Sequence, residues 1–118
     1  MPAAFVNWSR TVRSQPSEWA RPRTEDEVVA LVRSVRARGG RLRVAGSRRS
    51  WSPIAASDDV QVELEGFDAL VSVDPEAGTA TVGANVRLHH LVELLAAHGL
   101  ALPTLGSIHA QALAGAIG

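Results

Sequence analysis

Cysteine is absent from the 118 residues. That excludes disulfides, thiol nucleophiles and cysteine-built zinc or iron–sulfur sites, and it fits a cytosolic setting. Net charge is lacking too: 12 Lys and Arg balance 12 Asp and Glu. A general nucleic-acid binder carries a basic excess, so no nucleic-acid partner is expected. The opening "MPAAFVNWSRTVRS" has no basic region followed by an apolar core, so no secretory leader is expected. No apolar run approaches the roughly 18 residues of a membrane span, so no membrane partner is expected either. The expected localisation is cytoplasmic. No repeat, linker or low-complexity tract is visible, and no domain boundary is expected. An apolar fraction of 46% over 118 residues is one domain's worth of chain. Such a chain buries about two thirds of its unfolded surface.

Residues 1–15 show no hydrophobic period and read as an irregular arm. "SEWARP" reads as a first strand ended by Pro22. "TEDE" is a capping box, with Thr24 capping the first free amides and Glu27 reaching back. Val28, Leu31, Val32 and Val35 then recur at helical spacing, arginines gather toward the end, and Gly39–Gly40 supply the stop. "RLRVAG" alternates as a strand with Leu42 and Val44 on one face, and "VQVEL" alternates again. "LVSVD" and "TATVGA" flank "PEAG" as a hairpin whose turn is shaped by Pro75 and Gly78. A second helix is expected from Asn85 as N-cap to Gly99, with Leu88, Leu91, Val92 and Leu95 inside, followed by a short strand in "LALP". The order strand–helix–strand–strand, hairpin, helix, tail is that of an α/β or α+β domain.

The stretch "AGSRRSWSP" sets two adjacent arginines in a Gly/Ser turn at a strand end. Glycine lets the backbone turn and approach a ligand, successive amides in such a turn form an anion-binding concavity, and serine hydroxyls and an arginine fork add donors. A phosphate or diphosphate suits that cradle. The stretch matches neither GxGxxG nor GxxxxGK[ST], and a plain solvated turn accounts for the same residues equally well.

"RLRVAGSRRSWSPIA", the segment from "GFDALVSVD" to "LALPTLGSI", and "QALAGAIG" together resemble the N-terminal FAD-binding domain of the vanillyl-alcohol-oxidase/p-cresol-methylhydroxylase flavoproteins. Within that group they are similar to the sugar-lactone (gulonolactone and arabinono-lactone) and alditol oxidases. The resemblance implies an α+β fold in which residues 16–118 form the N-terminal part of the FAD-binding domain. Its first subdomain would be strand–helix–strand–strand, and its second would begin with a hairpin, a helix and a short strand. It implies FAD as cofactor, wrapped at its diphosphate by Val44, Ala45, Gly46, Ser47, Arg48, Arg49 and Ser50. Ser107 and the backbone of Gly115, Ala116, Ile117 and Gly118 would lie along the flavin or its phosphates, with Gly106 and Ala114 fitting the same crowding.

In many members of this branch the loop reads Gly-Ser-Gly-His-Ser, and the His is bonded to the flavin ring. Arg49 stands in its place here. A permanently protonated guanidinium is no nucleophile, so the implied FAD is non-covalent. Arg49 is left to pair with a phosphate or to stabilise reduced, anionic flavin. Related sequences continue beyond the point matching Gly118 into a Thr-Gly-Thr-His-Gly-like segment, and the family's catalytic residues lie there. The resemblance therefore implies a fragment, a shortened gene product, or one half of a two-chain protein. A sugar lactone or polyol would be the substrate of the full-length enzyme only, and a non-catalytic module binding an anion or a complementary chain is the alternative.

His89 and His90 are adjacent, His98 follows at eight or nine residues, and none sits in HExxH, so no metal site is expected. Glu63, Glu65 and Asp68 read as a polar strand face and turn. Trp19 and Trp51 read as packing residues.

Overall fold

The computed structural model describes residues 2–118. The chain divides into two compact units, the first running to Glu65 and the second spanning Gly66–Gly118. The sequence showed no boundary because neither Gly nor Pro accumulates at this junction.

The first unit opens with β1 (Phe5–Val6) and β2 (Arg13–Ser14), an antiparallel pair with Phe5 opposite Ser14. The arm expected to be irregular is thus a small hairpin. With two residues per strand it has no periodicity to read. β3 (Glu18–Ala20), α1 (Glu25–Ala37), β4 (Leu42–Ala45) and β5 (Val60–Glu63) then build a parallel sheet in the order β3-β5-β4. The crossover through α1 leaves the central place open, and β5 fills it, with Val60 opposite both Glu18 and Leu42.

Helix α1 starts as its capping box dictates. Thr24 Oγ1 accepts from the Glu27 amide at 3.1 Å, and Glu27 Oε2 accepts from the Arg23 amide at 2.6 Å. It buries Val35 against Val60 and Val62, with Leu31 and Leu42 packed beside them. Val32, expected on the inner face, is 45% exposed. At its far end Arg38 grips Asp59 at 2.9 Å, and Asp59 also accepts from the Arg41 amide at 2.6 Å. The Arg38 guanidinium, then the Arg41 amide, hold the Asp59 carboxyl below its ordinary range.

β5 is buried on both faces, as a central parallel strand must be. Val60 and Val62 meet α1, while Gln61 and Glu63 occupy the other face. Gln61 is fully buried and satisfied: its Nε2 donates to Ala55 O at 2.7 Å and Arg43 O at 3.2 Å, and its Oε1 accepts from the Ser57 amide at 3.1 Å. This one amide pins the return of the loop that joins β4 to β5, which includes a 3-10 turn at Pro53–Ala55.

The second unit holds β6 (Leu70–Asp74) and β7 (Thr79–Val82), an antiparallel hairpin. Asp74 Oδ1 accepts from the Glu76 and Ala77 amides, and Gly78 turns the corner at φ 65°. Helix α2 (Leu88–Ala96) buries Leu88, Leu91 and Leu95 with Val86 against Ala80 and Val82, leaving Val92 at 37% exposure. Asn85 is not its N-cap. Arg87 holds that position, and the Leu88 and His89 amides are satisfied by the carbonyls of Gln111 (3.0 Å) and His109 (2.9 Å). "LALP" forms no strand, because Leu100 and Leu102 pack against α2 without a ladder partner. A short helix α3 (Leu113–Ile117) ends the unit.

Candidate functional site

Strand β4 ends at buried Ala45, and the chain enters the Gly46–Ser50 loop at its carboxyl end, where open α/β sheets place ligands. The left-handed residue of the loop is Arg48, at φ 61°, and not Gly46. An arginine held there costs about 1–2 kcal/mol. The loop carbonyls are tied to the N-terminal hairpin: Arg48 O accepts from the Trp8 amide at 2.7 Å, and Ser50 O accepts from Asn7 Nδ2 at 3.0 Å. Among the described residues the amides of Ser47, Arg48, Arg49 and Ser50 have no acceptor. A run of free amides beside a left-handed turn favours an anion.

Asn7 is the hub of that attachment. At 4% exposure its Nδ2, whose two hydrogens are shared among three acceptors, also lies 3.0 and 3.1 Å from the Ser9 and Thr11 hydroxyls, and its Oδ1 accepts from the Val12 amide at 3.0 Å.

The two arginines part company. Arg48 Nη2 donates to Glu63 Oε1, while Arg21 Nε donates to Glu63 Oε2 at 3.2 Å. Trp19 stacks under both guanidinium groups, 5.6 Å from Arg21 and 5.2 Å from Arg48, and Phe5 lies 5.4 Å from Arg48. Glu63 is therefore not part of a solvated strand face. Arg49 lies 4.7 Å over the Trp8 ring and, among the described residues, has no carboxylate partner. Trp8 meets Trp51 edge-on at 6.5 Å, and both rings are more than half exposed, so Trp51 is not a core residue. The sequence missed Asn7, Trp8 and Glu63. A signal for Glu63 was present, because Gln61 and Glu63 share one face of a strand that the α/β order makes central.

Of the expected site residues, Val44 to Ser50 are gathered in the first unit, with Val44 at 46% exposure. Ser107, Gly115, Ala116, Ile117 and Gly118 belong to the second unit and are exposed. A Cβ at Gly115 would meet nothing within 4 Å. The Leu113 and Ala114 amides are taken by Val86 O (2.9 Å) and Ala84 O (3.0 Å). His89 Nδ1 lies 3.1 Å from the His109 carbonyl and His98 Nδ1 3.1 Å from the Leu94 carbonyl, both structural contacts. Among the described residues no three His, Asp or Glu side chains are grouped to hold a metal ion, and no helix is long and apolar enough to cross a membrane.

A family model described as "FAD binding domain" matches residues 16–118. The chain belongs to this FAD-binding family. FAD is accordingly its cofactor. Relatives in the family's sugar-lactone branch include D-arabinono-1,4-lactone oxidase of Eremothecium gossypii, 38% identical over 96% of this chain and 22% of that protein. L-gulonolactone oxidase of Scyliorhinus torazame is 34% identical over 97% and 26%. L-gulono-1,4-lactone dehydrogenase of Mycobacterium tuberculosis is 31% identical over 98% and 27%. The chain thus spans about a fifth to a quarter of the curated relatives it matches. Cholesterol oxidase from B. sterolicum superposes with a TM-score of 0.79 at 20% identity, over 96% of this chain and 22% of that one. A solvent-stable cholesterol oxidase gives 0.78 at 25% identity, over 93% and 22%. The α+β fold is that of p-cresol-methylhydroxylase-type FAD-binding domains.

Proposed function

We propose that this chain holds the FAD diphosphate in a flavin-dependent oxidoreductase acting on CH–OH groups of a sugar lactone or alditol. The observation that carries the reading is the loop after β4, where, among the described residues, four adjacent amides lack acceptors and the Arg49 guanidinium lacks a carboxylate. Residues 16–118 serve as the N-terminal part of the FAD-binding domain. In this reading Val44–Ser50 wrap the diphosphate: the amides of Ser47–Ser50 donate to its oxygens and Arg49 adds a permanent charge. Bound FAD supplies a two-electron acceptor for a C–H bond of the substrate.

Arg49 stands where many lactone and alditol oxidases have a flavin-linking histidine, so FAD is held without a covalent bond. The similarity of the relatives named for arabinono- and gulonolactone supports a lactone as the substrate class. Groups that meet the substrate are assigned to the remainder of such a protein, and this chain alone is expected to hold FAD without turnover.

Titration of the chain with FAD, followed by flavin fluorescence at several salt concentrations, tests this. A charge-assisted hydrogen bond contributes about 1.5–3 kcal/mol. Arg49→Gln is therefore expected to weaken FAD by about 10- to 100-fold and to flatten the salt dependence. An unchanged Kd would remove Arg49 from the site.

A further inference from the structure

Glu63 ends β5 with its side chain 11% exposed, between Arg21 and Arg48. The aromatic faces of Trp19 and Phe5 flank the Arg48 guanidinium. Its carbonyl is bound by the Trp8 amide. The backbone between these anchors is left-handed, a conformation that a non-glycine residue keeps only where its surroundings over-determine it. The following residue, Arg49, has among the described residues no such anchor beyond the exposed Trp8 ring.

We infer that Arg48 is a positioning residue: its ion pair with Glu63 holds the left-handed turn that aligns the Ser47–Ser50 amides, and Arg49 alone of the pair meets the diphosphate. This rests on the reading of the loop as a diphosphate cradle. An arginine drawn from Glu63 to a phosphate would strand a mostly buried carboxylate with only Arg21, which favours Arg48 staying on Glu63. The adjacent arginines, alike in sequence, thus divide into a strut and a ligand.

FAD affinity of three variants separates the alternatives. Arg48→Ala loses the strut yet keeps the cost of a left-handed Cβ, and is expected to weaken FAD by about tenfold. Arg48→Gly occupies positive φ freely and is expected to recover most of that loss. Equal losses in both variants would mean that the Arg48 charge touches the ligand, overturning the inference. Glu63→Gln is expected to weaken FAD several-fold, because the strut is released. Tighter binding would show that Glu63 had been competing with phosphate for Arg48.

A double-mutant cycle read by urea unfolding of the chain without FAD gives an independent measure. Arg48→Ala and Glu63→Gln are expected to be non-additive, while Arg49→Ala and Glu63→Gln are additive. Additivity in the first cycle would overturn the strut. A chain that binds no FAD would overturn the diphosphate reading and the part assigned to Arg49, while the cycle would still decide the role of Arg48.

Discussion

Asn7 and Ser50 are joined across 43 residues, the Asn7 Nδ2 donating to the Ser50 carbonyl at 3.0 Å. That bond turns an N-terminal hairpin into a support for the loop after β4. Together with the Trp8 amide on Arg48 O it ties loop carbonyls to the hairpin, while the amides of Ser47–Ser50 are free among the described residues.

Asn7→Ala removes a buried side chain with four polar contacts and leaves the Val12 amide and Ser50 carbonyl short of partners. The expected loss is about 2–3 kcal/mol of stability, from unsatisfied buried groups. FAD affinity should fall as well, because the loop loses its support. Urea unfolding and a flavin titration of the same variant check both parts, and a loss of stability with full FAD affinity would separate hairpin from cradle.

Gln61→Leu keeps the volume of β5's central side chain but deprives Arg43 O, Ala55 O and the Ser57 amide of their partner. A destabilisation of about 2–4 kcal/mol is expected. Gln61→Glu should be no better, since a carboxylate cannot donate to the two carbonyls. Denaturant midpoints of the two variants test this.

Gly83 and Gly78 should respond differently to alanine. At Gly83 a Cβ would strike the Phe67 carbonyl and lie 2.8 Å from the Asp68 amide, so backbone must shift. At Gly78 nothing lies within 4 Å and the cost is that of φ 65° alone, about 1 kcal/mol. Gly83→Ala is expected to lower Tm by clearly more than Gly78→Ala, and the reverse order would contradict the hairpin's packing.

The pH dependence follows from Asp59. Its carboxyl is held below the ordinary value of 3.8, first by the Arg38 guanidinium and then by the Arg41 amide. A depressed folded-state value means the unfolded chain binds the proton more readily, so this contribution is fully present above the unfolded pKa. It is lost as pH falls through the lower, folded value. Asp59→Asn should therefore melt below the parent chain at pH 7, with the two melting temperatures converging in the acid range below 3.8. A difference that persists unchanged in acid would rule out the charged pair as its source.

Elements with a local signature were legible. The capping box at Thr24, the strand β4 and the Asp74–Gly78 turn all appear where their chemistry places them, although in β4 it is Ala45 and not Val44 that is buried. Elements made by distant partners were not. The start of α2 is capped by carbonyls of Gln111 and His109, about twenty residues on, so the better local cap, Asn85, is passed over. The β1–β2 hairpin is fixed by Asn7's side chain and by the loop it supports, which no period announces. The turn after β4 was legible from its Gly and Ser content. The split between Arg48 and Arg49 was not, because it depends on a carboxylate fifteen residues later on a strand face that alternation alone marks as open. Only the strand's central place in a parallel sheet makes that face buried.

The most direct test of the central claim is a visible spectrum of the 118-residue chain after incubation with FAD and gel filtration, repeated on the supernatant after acid precipitation. A yellow protein fraction that releases all its flavin to the supernatant is expected from a non-covalent diphosphate cradle with Arg49 in place of a linking histidine. Flavin retained in the pellet would contradict the absence of a covalent bond, and a folded but colourless protein would contradict the cradle itself.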